Sequence, residues 1–198
     1  MPIVTLVSGG LDSALMSLMA HEEGVFLFPL FVDYGQLGSA REWTACQLLH
    51  DRHGLPEVTR MDISGFGKVI TSGITNTAMR INEDAFLPGR NFLLLLCGAA
   101  YAYRVQADGV AIGLLNPKDH LFPDQTQEFL YKSEDMIEAT MGKRIAVLAP
   151  LIEFTKGDVL AMAGVRGLHD TYSCHAGGAV PCGKCVACVE IANAKERS

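Results

Sequence analysis

The 198-residue sequence contains no apolar run long enough to cross a bilayer; the longest, from Phe92 to Ala100, is interrupted by Gly98. It has no excess of cations: 16 Lys+Arg face 22 Asp+Glu, for a formal net charge of -6. A chain so short of clustered positive charge is a poor nucleic-acid coat, since phosphate neutralisation needs grouped Lys and Arg. Binding one nucleotide is not excluded, because that takes only a few local donors. A basic leader is also missing, as Met1-Pro2-Ile3-Val4 runs directly towards Ser8-Gly9-Gly10, so a cytoplasmic protein without membrane contact is expected. There is no Walker A Gly-Lys-Ser/Thr, no Gly-x-Gly-x-x-Gly fingerprint, no internal repeat and no low-complexity tract. What is present is 49% hydrophobic and 19% charged residues, enough for one folded domain with a sizeable core and a small appendage.

Short apolar runs alternate with helical spacing. Ile3–Val7, Val25–Val32, Val58–Ile63, Gly109–Gly113 and Ile145–Leu148 read as strands. Helices are predicted from Leu11 towards Gly24, Arg41–His53, Phe92 to about Gln106, Glu128–Met141, and onward from Thr155, an N-cap with Asp158 at the capping-box position. Residues 64–88 have no period and read as a loop or insertion. The alternation predicts an α/β fold, a parallel sheet with helices on both faces. Residues 171–198 break the rhythm, so a main domain over 1–170 with a C-terminal appendage is expected.

The main chemical signal is Ser8-Gly9-Gly10-Leu11-Asp12-Ser13, between the first strand and the first helix. Its two glycines permit a sharp turn and close approach of backbone to ligand. Unpaired N–H groups and the positive helix end then converge where a phosphate can sit. Ser8 and Ser13 add hydroxyl donors; Asp12 suits Mg²⁺ or loop positioning. Cys174, Cys182, Cys185 and Cys188 follow C-x7-C-x2-C-x2-C, a spacing suited to tetrahedral Zn²⁺. An iron–sulfur cluster is the alternative, although the further Cys-Pro of a ferredoxin run is absent. Cys46 and Cys97 read as buried core thiols.

The hexapeptide resembles the PP-loop of the ATP pyrophosphatases, which cleave ATP to AMP and pyrophosphate. Together with Phe31-Val32-Asp33-Tyr34-Gly35-Gln36, Pro88-Gly89-Arg90-Asn91 and the four-cysteine tail, it resembles the 7-cyano-7-deazaguanine synthase (QueC) family from about Ile3 to Ala194. The resemblance implies a Rossmann-like fold of the adenine-nucleotide alpha-hydrolase type, with a zinc knuckle at the C-terminus. It implies adenylation of 7-carboxy-7-deazaguanine with ATP and Mg²⁺, attack by ammonia, and a second activation that yields the nitrile (preQ0). It also suggests a homodimer. On this reading Val7, Ser8, Gly9, Gly10, Leu11, Asp12, Ser13, Ala14, Asp33 and Tyr34 bind ATP. The departing charge calls for cations: Arg90, after a Pro-Gly turn and before a helix, and Lys156, in a first helical turn where a cation opposes the dipole, are the candidates beside Asp12 for catalysis. The family resemblance gives the four cysteines structural zinc.

The segment after Gly113 departs from the family pattern. Phe122-Pro123-Asp124 and Glu128-Phe129 match, so Phe122, Asp124, Glu128 and Phe129 are candidates for the deazapurine site, although Asp124 and Glu128 equally suit helix caps. Gln125, Thr126 and Gln127 replace the family's Cys, Arg and Pro, and Lys118-Asp119-His120-Leu121 replaces an Asp-Tyr-Ser-Gly stretch. These changes leave the final acceptor open. QueC-like paralogues linked to antiphage defence, which couple the activated base to a protein amine, are one alternative. Other PP-loop enzymes, for tRNA thiolation or amide formation, are a second.

Overall fold

The computed structural model describes residues 1–116 and 122–196; Lys118-Asp119-His120-Leu121, part of the departing segment, lie outside the described residues. Five strands, β1 (Ile3–Leu6), β2 (Leu27–Asp33), β3 (Thr59–Asp62), β4 (Gly109–Ala111) and β5 (Ala146–Leu148), form one all-parallel sheet in the order β3-β2-β1-β4-β5. The order reverses between β1 and β4. That is the point where an α/β sheet opens a crevice beyond its strand ends.

The helices are α1 (Leu11–Glu22), α2 (Ser39–Arg52), the short α3 (Gly65–Val69), α4 (Arg90–Val105), α5 (Gln127–Met141), α6 (Lys156–Val165) and α7 (Val186–Glu196). Strand alternation sorts the core into two layers. Ile3, Leu27 and Ala111 meet Leu11, Leu15 and Leu18 of α1, Leu49 of α2, and Val159 and Ala163 of α6. Val4, Leu6, Leu30, Val32 and Val110 meet Leu95, Ala99 and Ala102 of α4, with Leu130 and Ile137 of α5. Burial of such side chains stabilises each layer by roughly 1.5–3 kcal/mol per large residue. The predicted sheet with helices on both faces is therefore present. Gly98 explains how closely α4 lies on the strands, since a Cβ there would stand 2.5 Å from Val110 Cγ2.

Element ends differ from the predicted ones by a few residues. Helix α4 starts two residues early, because Gly89 adopts φ 75° as its N-cap and Arg90 already lies in the first turn. Residues 64–88 are not a bare loop. They carry α3 and a small core of Ile74, Ala85 and Leu87, against which Tyr34, Phe66, Phe122 and Val186 pack. Cys46 is buried as expected, but Cys97 is only half-buried. The tail forms a helix, α7, which was not predicted. No helix among the described residues is long and apolar enough to cross a membrane.

Candidate active site

Helix α1 begins on Gly10 with no side-chain cap, so the N–H groups of its first turn stay available. Ser8 and Ser13 brace the loop instead. Ser8 N donates to Ser13 Oγ at 3.1 Å, and Ser13 Oγ donates to Gly10 O at 3.1 Å. Gly9 turns with φ 71° directly under α2, where a Cβ would meet Glu42 O at 2.4 Å. On the β4 side, Gly113 lies against the start of α1; a Cβ there would stand 3.2 Å from Ser13 N. The switch point of the sheet thus frames a cleft of about 270 Å³ around the loop.

Three further elements complete its walls. Thr155 caps α6 through a capping box with Asp158, as predicted, and this sets Lys156 in the first turn. Lys156 Nζ reaches both oxygens of Asp12, at 2.8 and 2.7 Å, with Glu190 of α7 at 3.8 Å. Arg90, at the start of α4, donates from Nε and Nη2 to Asn91 Oδ1 at 3.1 and 3.0 Å. Buried Asn91 in turn donates from Nδ2 to Asp124 O at 2.9 Å, tying α4 to the 3-10 turn Pro123–Gln125. Tyr34 faces the same cleft; burial pushes its phenol up, while Arg90 pulls it down. The tail closes over the loop: Tyr172 N donates to Gly9 O at 2.9 Å, and Arg41 Nε donates to Gly177 O at 3.0 Å.

Of the residues expected to act on ATP, Val7, Ser8, Gly10, Leu11, Asp12, Ser13, Tyr34, Arg90 and Lys156 line the cleft. Gly9 lies beneath α2 and shapes the turn, and Ala14 is buried in the core. Asp33 does not line the cleft. It accepts from Gly35 N at 3.0 Å and from Arg60 Nη2 at 2.7 Å. Burial alone would raise its pKa, but hydrogen bonds from Ser39, Arg60 and the Gly35 N–H outweigh that and hold it below its usual range. Asp33 is a turn-forming acid here.

The expected substrate residues separate. Phe122 lines the cleft and packs on Phe86 with ring centroids 5.1 Å apart. Asp124 contributes its backbone carbonyl to Asn91 rather than a carboxylate to the cleft. Glu128 is exposed in the first turn of α5 and paired with Lys132 at 2.7 Å. Phe129 packs into the core beneath α4. The cap of α5 is Thr126, which accepts from Phe129 N at 3.1 Å, so Glu128 serves the helix dipole and not the cleft.

Sequence reasoning missed Gln36, Glu42, Asn91, His175 and Glu190, all of which line the cleft. Gln36 and Asn91 stand inside the quoted motifs and were legible there. Glu42 follows the DYGQ segment on the next helix, and Glu190 sits two residues after the last cysteine. His175 is pushed down to about 4 by burial first, then by Arg90 and Lys156.

The Sγ atoms of Cys174, Cys182, Cys185 and Cys188 all lie within 4.8 Å of one another, with Cys182 and Cys188 at 4.0 Å. A tetrahedral four-thiolate site with metal–sulfur bonds of about 2.3 Å needs sulfurs about 3.8 Å apart, so this group could hold a metal ion. The cluster is continuous with the cleft wall, since α7 leaves it carrying Val186, Ala187 and Glu190 to the cleft.

Comparison with known proteins finds relatives along nearly the whole chain. The family model described as Queuosine biosynthesis protein QueC matches residues 2–197. A 7-cyano-7-deazaguanine synthase of Desulfitobacterium hafniense is 32% identical over 200 residues, covering 93% of this chain and 84% of its own. One of Methanothermobacter thermautotrophicus is 28% identical over 212 residues, covering 99% and 95%. Among solved structures, the NMN synthetase of Francisella tularensis shares the fold at a TM-score of 0.51 and 16% identity, covering 98% of this chain and 84% of its own. With a family match over nearly its whole length and these relatives along it, the chain belongs to the QueC family.

Proposed function

We propose that this chain adenylates 7-carboxy-7-deazaguanine and converts it to 7-cyano-7-deazaguanine, using ATP and ammonia. The observation that carries the reading is the meeting of an uncapped phosphate loop with two cations, Arg90 and Lys156, in one cleft. A carboxylate is a poor electrophile. Its oxygen attacks the α-phosphorus of ATP, the bond to pyrophosphate breaks, and the acyl adenylate carries AMP as a leaving group. Negative charge grows on the departing pyrophosphate. The N–H groups of α1 and the Arg90 and Lys156 side chains are preorganised to receive it. Asp12, whose carboxylate opens on the cleft beside Lys156, would hold the Mg²⁺ that neutralises the phosphates. Attack by ammonia releases AMP and gives the amide, and a second adenylation of the amide oxygen leads to the nitrile. Phe122 and Tyr34 offer aromatic surface for the flat base. The four cysteines hold a structural Zn²⁺, because all four positions are thiols and none is left open for substrate.

Incubation with ATP, Mg²⁺ and 7-carboxy-7-deazaguanine, with and without ammonium, tests this. Pyrophosphate release that requires the carboxylate, and a product with the mass of the nitrile, are expected. Release without any nitrile would favour coupling to a protein amine, the reading to which the departure at Gln125, Thr126 and Gln127 points. No carboxylate-dependent release would sink both.

A further inference from the structure

The cleft holds an acid that pyrophosphate departure does not use. Glu42 projects from the first turn of α2; its backbone carbonyl abuts Gly9 of the loop, and the residue lines the same cleft as that loop. Gln36 Nε2 donates to Oε2 at 2.8 Å and fixes the side chain. Oε1 lies against Gly38, where a Cβ would stand only 2.8 Å away, and no described residue donates to it. The groups facing Glu42 are Arg90 of α4, Asp33 and Tyr34 at the end of β2, Tyr172 of the tail, and Cys46 further along α2. Arg90 is the cation among them, and its Nε and Nη2 are engaged by Asn91. Glu42 is therefore held in place by an amide without being locked in an ion pair.

We propose that Glu42 is the general base for the nitrogen nucleophile, binding it through Oε1 and taking a proton from it as it attacks the acyl adenylate. This rests on the adenylation reading above. The nitrogen lone pair forms a bond to the acyl carbon, and the adduct carries N–H₃⁺. One proton passes to Glu42, the carbon–oxygen bond to AMP breaks, and its electron pair leaves with the phosphate. Glu42 then returns the proton to water. Once that proton is gone the nitrogen can no longer depart as ammonia, and the adduct can collapse only towards amide and AMP. Burial supports the assignment, pushing the Glu42 carboxyl up to about 7 against the hydrogen bond from Gln36 and the charge of Arg90. A base is most effective with its pKa near the working pH.

The full-length protein carrying Glu42→Gln tests the idea through three readouts: carboxylate-dependent exchange of pyrophosphate into ATP, hydroxamate formation from hydroxylamine, and ammonia-dependent product. The adduct of hydroxylamine is a stronger acid than that of ammonia and sheds its proton to water, so it needs a protein base less. The ammonia step should fall on the order of 100-fold, while exchange and hydroxamate formation fall by about threefold or less. Plotted against free ammonia, the wild-type rate should rise with pH through about 7, as Glu42 loses its proton. The variant should lack that limb, and Glu42→Asp should restore part of the rate. Equal loss of all three activities, or an unchanged ammonia step, overturns the role of Glu42 alone. Absence of exchange in the wild-type protein overturns the adenylation reading and this role with it.

Discussion

Lys156 stands in the first turn of α6, where a positive charge opposes the helix dipole, and it is nevertheless held against Asp12 at 2.7 Å. The mismatch is resolved across the cleft, which is why an unfavourable helix position was a usable signal in the sequence. Arg90 was legible for a different reason, because a Pro-Gly turn pinned it to a helix start. The two cations stand on different helices with different partners, so they can be tested apart. Replacing Arg90 by Met should slow carboxylate-dependent pyrophosphate exchange by roughly 10²–10³-fold, the size expected for one preorganised charge-stabilising donor. Thermal stability should fall less than activity, since the bonds lost are those to the Asn91 side chain and to the Tyr34 phenol while the apolar stem is kept. A variant with normal exchange would remove Arg90 from the chemistry. Glu128 shows the opposite lesson. An acid early in a helix satisfies the dipole by itself, and spacing cannot tell that from a substrate contact.

At the scale of elements, most strands and long helices were readable from apolar runs and helical spacing; β3, mostly exposed, was marked only by Val58, Met61 and Ile63 in and beside it. Helix α7 was hidden by the C-x2-C pattern, whose second half doubles as its first turn. Residues 64–88 were hidden because their core is only Ile74, Ala85 and Leu87, too few and too unevenly spaced to show a period. Helix α6 ties local stability to the site. Thr155 Oγ1 accepts from Asp158 N at 3.2 Å, and the Asp158 carboxylate accepts from Thr155 N at 2.8 Å. Thr155→Ala should cost about 1 kcal/mol of stability. Because Lys156 is the next residue, the same change should lower activity more than that loss of folded protein explains. Calorimetry beside exchange kinetics checks this, and a variant whose activity tracks its folded fraction would show the cap to be purely structural.

For the whole molecule, the cysteine cluster joins the tail to the nucleotide cleft. Metal analysis should find about one zinc per chain. Stripping it with a strong chelator should free α7 and Glu190 from the cleft wall. The melting transition should then broaden and fall, ATP-dependent protection should be lost, and both should return when zinc is added back. Bound iron with a visible absorption band would refute the zinc assignment.

Both ends of the sequence build the phosphate site. Gly9 accepts a hydrogen bond from Tyr172, and Asp12 is held by Lys156, 144 positions further on. A polypeptide is made from its N-terminus, so the loop and α1 leave the ribosome long before their partners exist. Strands can pair and the two core layers can begin to close, yet the nucleotide meets only half a site. On the proposed function, ATP capture would wait until Lys156, Tyr172 and the segment after them have emerged.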